Sequence, residues 1–205
     1  MSPVTLVIDS ATPACSVALL QDGRVLAEAH EVVGRGHAER LVPMIAAVLG
    51  GRRPAAILVD CGPGSFTGVR VGLAAAHGLA IGWGVPLAGY SSMSLVAAGA
   101  VHEPSRAVGV ALQGGHGQIF VQSFGDDPLR PLDGLLSLPP DEAAGAVTAP
   151  RVIGSAAAAL VAARGWGEAR DALPRAADAR LLPRALRSLA ASPIYGRAPD
   201  AKRPA

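Results

Sequence analysis

The segment that most constrains the fold is the hard turn Gly62-Pro63-Gly64-Ser65-Phe66-Thr67-Gly68, set between two apolar stretches. Ahead of it, Ala55–Asp60 is a short aliphatic run fit for a buried strand. Behind it, Thr67–Trp83 is rich in Ala and Gly and predicts a helix whose backbone can come close to its neighbours. Ser65 or Thr67 is placed to cap that helix, because a short hydroxyl side chain can accept from its free N–H groups. Strand, hard turn and close-packed helix form one layer of a helix–strand alternation.

The flanking segments extend that layer. Val4–Asp9 is a β-branched run ending in an acid, and Cys15–Leu20 is a second apolar run. Gln21-Asp22-Gly23-Arg24 carries the Asp-Gly pair of a tight hairpin, and Val25–Ala29 follows as a third strand. Gly36–Leu49 reads as a helix: Leu41, Ile45 and Val48 share one line, Met44 flanks it, and Gly50-Gly51 ends it. Pro86–Tyr90 reads as a strand and Ser91–Ala100 as a helix. A second unit starts near Arg106, with strands at Ala107–Leu112 and Gln118–Phe124, a loop over Gly125–Pro140 and a short helix at Pro140–Val147. A strand at Arg151–Ile153 and helices at Ala156–Arg164 and Ala177–Ala190 complete it. The two units, 1–105 and 106–205, share a pattern of hairpin followed by helix–strand alternation.

Composition sets outer limits. With 205 residues, half of them apolar and 17% charged, the chain can bury a core without staples and is not disordered by composition. Aromatics make up only 3%, so that core is aliphatic. The net charge is +2, and a strong nucleic-acid footprint would need a denser basic cluster than Arg164, Arg170, Arg175, Arg180, Arg184 and Arg187, which are spaced with acids between them and read as one solvated helical face. Cys15 and Cys61 lie in apolar runs and read as buried free thiols of a reducing cytoplasm. No run of about 18 apolar residues and no leader pattern stands out, so a cytoplasmic chain without a membrane span is expected.

Local chemistry is sparse. Asp9, Ser10 and Thr12, at the end of the first strand, have the residue types to hold a phosphate or a metal-bound water, although such groups also simply form turns. The glycine block lacks the Lys of a phosphate loop and the spacing of a dinucleotide fingerprint. Ser65 lacks the second glycine of a nucleophile elbow. His30, His37, His77, His102 and His116 form no pair at helical ligand spacing, and no Cys-x-x-Cys is present.

Four segments nevertheless carry a resemblance. They are Leu6–Thr12 with Cys15–Ala18, Gly34–Ile45, the long block Gly62–Ala80, and the tail Pro193–Lys202. Together they resemble the TsaB/YeaZ family, the bacterial dimerisation subunit of the tRNA threonylcarbamoyladenosine machinery. Matches are dense over residues 4–95 and sparse from there to about 190.

The resemblance implies an α/β fold of the actin/Hsp70/sugar-kinase (ASKHA) type, two similar subdomains of mixed sheet flanked by helices. It implies a non-catalytic scaffold that binds the catalytic subunit TsaD, works with the small ATPase TsaE, and supports N6-threonylcarbamoylation of the anticodon-adjacent adenosine in tRNAs reading ANN codons. TsaD carries a His-x-x-x-His metal motif just after the equivalent of Gly62–Ala80; here Ser92 and Val96 stand at those places, so no metal and no cofactor are expected. Weak nucleotide binding at Asp9, Ser10 and Thr12 stays open. The family builds a helical bundle with its partner from the two helices Gly36–Leu49 and Thr67–Trp83. The expected contact residues are His37, Leu41, Met44 and Ile45 on the first and Gly68, Gly72 and Ala75 on the second, with a homodimer when the chain is alone. One departure is Leu112–Phe120, where relatives carry Asp-Ala-Arg and an acidic turn. The rival readings are an active ATP-dependent kinase or ATPase of the same fold, and a metalloprotease-like hydrolase.

Overall fold

The computed structural model describes residues 3–100 and 107–196. The expected boundary between residues 105 and 106, and the tail match beyond residue 196, lie outside the described residues.

The first sheet is built as the sequence pattern predicts. Strands β1 (Thr5–Asp9), β2 (Ala14–Gln21) and β3 (Arg24–Val32) form an antiparallel meander, and Asp22-Gly23 turns the hairpin with both residues at positive φ. Helix α1 (His37–Leu49) follows, closed by Gly50 in the left-handed region. β4 (Ala56–Asp60) then enters parallel to β1, which requires a crossover, and α1 supplies it. Helix α2 (Phe66–Trp83) crosses over in turn to β5 (Leu87–Tyr90), giving the order β3-β2-β1-β4-β5. Helix α3 (Ser92–Ala100) leaves the last strand.

The second sheet repeats the plan with less material. β6 (Val108–Gln113) and β7 (Ile119–Asp126) pair antiparallel. Helices α4 (Pro140–Ala146) and α5 (Ala157–Arg164) flank β10 (Arg151–Ile153), which lies parallel to β6. Three short strands depart from the expected pattern. β8 (Leu129–Pro131) and β9 (Leu136–Leu138) both pair with β7 inside the stretch expected to be loop, and β11 (Glu168–Arg170) pairs with β10. Three residues are too few to show an alternating pattern, so only their neighbours define them.

The strands' two faces feed separate cores. Leu6 and Ile8 of β1 pack with α1 and α2 on one side of the first sheet. Val7 points the other way, into a central core shared with α3 and with Val110, Leu112, Phe120 and Phe124 of the second sheet. A third cluster lies behind the second sheet under α4 and α5.

The helix expected over Ala177–Ala190 is not formed. Two 3-10 turns, Ala176–Leu181 and Arg184–Arg187, take its place. Pro183 has no N–H to continue a helix and drives Leu182 into the extended region (φ −68°, ψ 128°). This segment returns to the first sheet: the Ala176 N–H donates to Ser16 Oγ (2.9 Å), and Leu189 bridges Gly89.

Candidate functional site

The C-terminal ends of β1 and β4 place two carboxyl groups, Asp9 and Asp60, side by side in the interior, 0% and 2% exposed. Asp60 accepts from the Gly62 N–H (2.9 Å) and from Ser92 Oγ (2.6 Å). Asp9 Oδ2 accepts from the Tyr90 hydroxyl (3.0 Å), which also reaches the Ile8 carbonyl (3.2 Å). Asp9 Oδ1 has no donor. Burial, then the Asp60 charge, pushes the Asp9 carboxyl well above the ordinary carboxylate range. Burial also raises Asp60, to about 6, against the pull of its donors. A proton held by Asp9 and donated to Asp60 satisfies the orphaned oxygen and leaves one charge on the pair.

Asp9, Ser10 and Thr12 are therefore not an open phosphate cradle. All three are buried. Ser10 Oγ donates to the Gly68 carbonyl (2.9 Å), and Thr12 Oγ1 accepts from the Ala14 N–H (3.3 Å). The glycine block lies directly on this turn. A Cβ at residue 64 would sit 2.1 Å from the Ala11 carbonyl oxygen, one at residue 68 2.1 Å from that of Ser10, and one at residue 72 2.5 Å from Ser10 Oγ. Gly68 and Gly72 thus serve the chain's own packing rather than an outer face. Ser65 caps α2, its Oγ accepting from the Gly68 N–H (3.3 Å). Ala75, half-buried, lies at the border of the α1–α2 cluster.

The first helix shows the same inversion. Leu41, Met44 and Ile45, like Val48, are at most 5% exposed and fill the core between α1 and the sheet. Four apolar residues do fit inward, because α1 packs against both β2 and α2 and so buries a wide stripe. His37 is also buried; its Nε2 donates to the Thr12 carbonyl (2.8 Å) and fastens α1 to the β1–β2 turn. The outward side of α1 instead carries Ala38, Val42, Pro43 and Ala46, and that of α2 carries Ala74, Gly78 and Ile81. Val42 is 62% and Ile81 81% exposed.

Between the two sheets runs a cleft of about 540 Å³, lined among others by Phe66, Arg70, His116 and Tyr195. Arg70 stacks over the Phe66 ring (3.2 Å) and donates to the Tyr195 hydroxyl (2.9 Å). Thr12 lines this cleft, whereas Asp9 and Ser10 do not reach it.

Comparison with known proteins places this arrangement. The family model for TsaD, the tRNA N6-adenosine threonylcarbamoyltransferase, matches residues 29–128. The tRNA threonylcarbamoyladenosine biosynthesis protein TsaB of Escherichia coli is 44% identical over 100 residues, 46% of this chain and 43% of its own length. TsaB of Haemophilus influenzae is 41% identical over 97 residues, 45% and 41% of the two chains. The chain spans about two fifths of the length of these curated relatives. YeaZ from Pseudomonas aeruginosa matches with a TM-score of 0.80 at 30% identity, over 95% of this chain and 100% of that one. The chain belongs to the TsaB/YeaZ family. A second Pseudomonas aeruginosa structure, described as similar to the peptidase YeaZ, has a TM-score of 0.81 at 29% identity over 96% and 100% of the chains.

The TsaB/YeaZ likeness covers both sheets, so the fold is the two-part actin/Hsp70/sugar-kinase type that the resemblance implied. At the start of α3, Ser92 is bonded to Asp60 and Val96 lies in the central core. Among the described residues, no three His, Cys, Asp or Glu side chains come together as metal ligands, and no helix is long and apolar enough to cross a membrane. The altered Leu112–Phe120 segment forms the β6–β7 turn, with the Gly114 N–H donating to the Gln118 carbonyl (2.9 Å) and His116 at positive φ. It lines the cleft with amide and imidazole groups. Asp60 and Tyr90 were not among the expected site residues. Their signal was an acid ending a buried strand that must lie parallel to the strand ending in Asp9.

Proposed function

We propose that this chain is the non-catalytic scaffold subunit that pairs with TsaD, with TsaE as a further member, in N6-threonylcarbamoylation of the anticodon-adjacent adenosine of tRNAs reading ANN codons. It would act in the cytoplasm and form a homodimer when alone. The observation that supports this reading is the likeness to YeaZ over almost the whole chain, with serine and valine at the two places where a TsaD-like metal pair would stand.

The contact face is reassigned accordingly. The outward stripe Val42, Pro43 and Ala46 of α1 lies beside the outward stripe Ala74, Gly78 and Ile81 of α2, and the two helices pack against each other. Small and aliphatic side chains with few charges suit the close approach of partner helices. A shared face of this kind also self-pairs through an isologous contact.

Val42→Glu is expected to weaken binding to TsaD and the homodimer together by at least tenfold. Burying a valine is worth about 1.5 kcal/mol or more, and a tenfold change corresponds to about 1.4 kcal/mol. Titration calorimetry against TsaD and sedimentation of the chain alone measure the two. Met44→Ala is the counterpart: its side chain fills the core, so the melting temperature should fall while the folded fraction binds TsaD normally. Full TsaD binding by the Val42→Glu variant would place the interface elsewhere.

A further inference from the structure

The arginines that read as one helical face lie on separate elements, and their fates differ. Arg164 donates to the carbonyls of Val147 and Ala149 and stacks over Trp166. Arg175 pairs with Glu28 at 2.9 Å. Arg180, Arg184 and Arg187 instead line one pocket of about 370 Å³ at the end of the first sheet away from Asp9. Its floor is aliphatic, from Leu20, Ile57 and Leu58, and its rim includes the β2–β3 turn with Asp22.

Two features separate this pocket from an ordinary solvated face. First, the charges are not balanced within it: three guanidinium groups face one carboxylate among the lining residues. Arg180 has a distant partner, Asp178 at 4.0 Å, and Arg184 and Arg187 make no ion pair among the described residues. Second, the backbone aligns them. In a 3-10 turn, residues three apart eclipse one another, so Arg184 and Arg187 leave the same side of Arg184–Arg187 about 6 Å apart along its axis. The outcome is a short row of forked donors above a low-dielectric floor, where attraction for an anion is stronger than on an open surface. Guanidinium forks match phosphate oxygens, and a row of them suits a polyanionic strand better than a single ion. The volume lies within the range of small-ligand pockets, with room for a sugar or base against the aliphatic floor.

We propose that this pocket is a phosphate-binding site that seats a stretch of RNA backbone. The proposal rests on the reading of the chain as part of a tRNA-modifying assembly, since that reading supplies an RNA for the site to hold. It gives the chain a direct RNA contact on a surface separate from the α1–α2 face.

The test is fluorescence anisotropy of labelled unmodified tRNA with the full chain between 50 and 200 mM salt. Arg184→Ala/Arg187→Ala is compared with Arg130→Ala, an exposed arginine on β8 of the second sheet. Thermal melting verifies that each variant folds. The double variant should bind tRNA at least tenfold more weakly, and the slope of log affinity against log salt should fall by about 1.5 as two phosphate contacts disappear. Arg130→Ala should bind as the parent does. No tRNA binding by the parent at 50 mM salt, or an unchanged affinity and slope in the double variant, would overturn the proposal. Displacement of tRNA by equimolar inorganic phosphate or AMP would overturn it too, by reassigning the pocket to a small anion. TsaD binding of both variants is measured alongside: its retention with loss of tRNA binding supports the proposal, whereas its absence in the parent rejects the scaffold reading independently.

Discussion

Gly68→Ala should cost the protein about 3 kcal/mol of stability or more and lower its melting temperature by roughly 6–12 °C, at about 2–4 °C per kcal/mol for a chain of this size. The added methyl would sit 2.1 Å from the Ser10 carbonyl oxygen, a backbone atom that cannot swing aside. Relief requires α2 to lift from the β1–β2 turn, which would also break the bond from Ser10 Oγ to the Gly68 carbonyl. Gly64→Ala meets the Ala11 carbonyl at the same distance and should behave alike, while Gly78→Ala, with open space around it, should be neutral or slightly stabilising. Scanning calorimetry of the three variants measures the ranking. A Gly68→Ala protein that melts with the parent would mean that α2 is not seated on Ser10. Gly72→Leu falls in the same class. A side chain there meets Ser10 Oγ, so misfolding, rather than loss of a partner by a folded monomer, is the expected result.

These glycines show what the sequence could and could not convey. Asp22-Gly23, Gly50-Gly51 and the Ser65 cap are local devices, and local devices can be read from residue type and spacing; each lies where its segment required. Orientation is not local. An apolar stripe such as Leu41, Met44, Ile45 and Val48 has the same spacing whether it faces a core or a partner, and only the width of the groove between α2 and the sheet decides that all four turn inward. A small-residue row at Gly68 and Gly72 is equally ambiguous, because close approach to one's own turn and to a foreign helix demand the same missing side chain. At the other end of the chain, the expectation of a helix over Ala177–Ala190 passed over Pro183, which has no N–H to continue one. The division of the arginines into a carbonyl clamp, an ion pair and a pocket follows from the separate elements that carry them, which no local pattern announces. The Asp9–Asp60 pair was hidden for a related reason: each acid ends its own strand, and only the parallel pairing of β1 with β4 makes them neighbours.

That pair should give the protein an alkaline weakness. Both carboxyl groups have raised affinity for protons in the folded state, so the folded chain holds a proton that the unfolded chain has already released. Stability therefore declines as pH rises, from the ordinary carboxylate range near 3.8 upward: through about 6 for Asp60, and beyond that for as long as Asp9 keeps its proton. One retained proton gives a slope of about 1.4 kcal/mol per pH unit over the range in which the folded chain alone holds it. Among the neighbouring groups, the two thiols add to the decline toward pH 9, where they begin to ionise in the unfolded chain near their ordinary 9.0 but not in the folded one. The buried Cys15 and Cys61 thiols are pushed up to about 11, and Tyr90 is held well above its usual value of 10.0. His30, whose affinity for protons is lowered by burial and then by Arg175, contributes with the opposite sign and only below its ordinary value of 6.5. Asp9→Asn preserves the geometry, since its amide can donate to Asp60 and its carbonyl can accept from Tyr90. It should remove the pair's part of the slope, so that the variant gains on the parent as pH rises from 5 to 8. Asp60→Asn should instead be destabilised even at pH 6, because the Gly62 N–H and the Ser92 hydroxyl lose a charged acceptor. Urea unfolding at pH 5, 6, 7 and 8 reads all three proteins directly. A parent whose stability is flat over that range would show that the two carboxyl groups do not share a proton, and that the orphaned Asp9 oxygen finds its donor elsewhere.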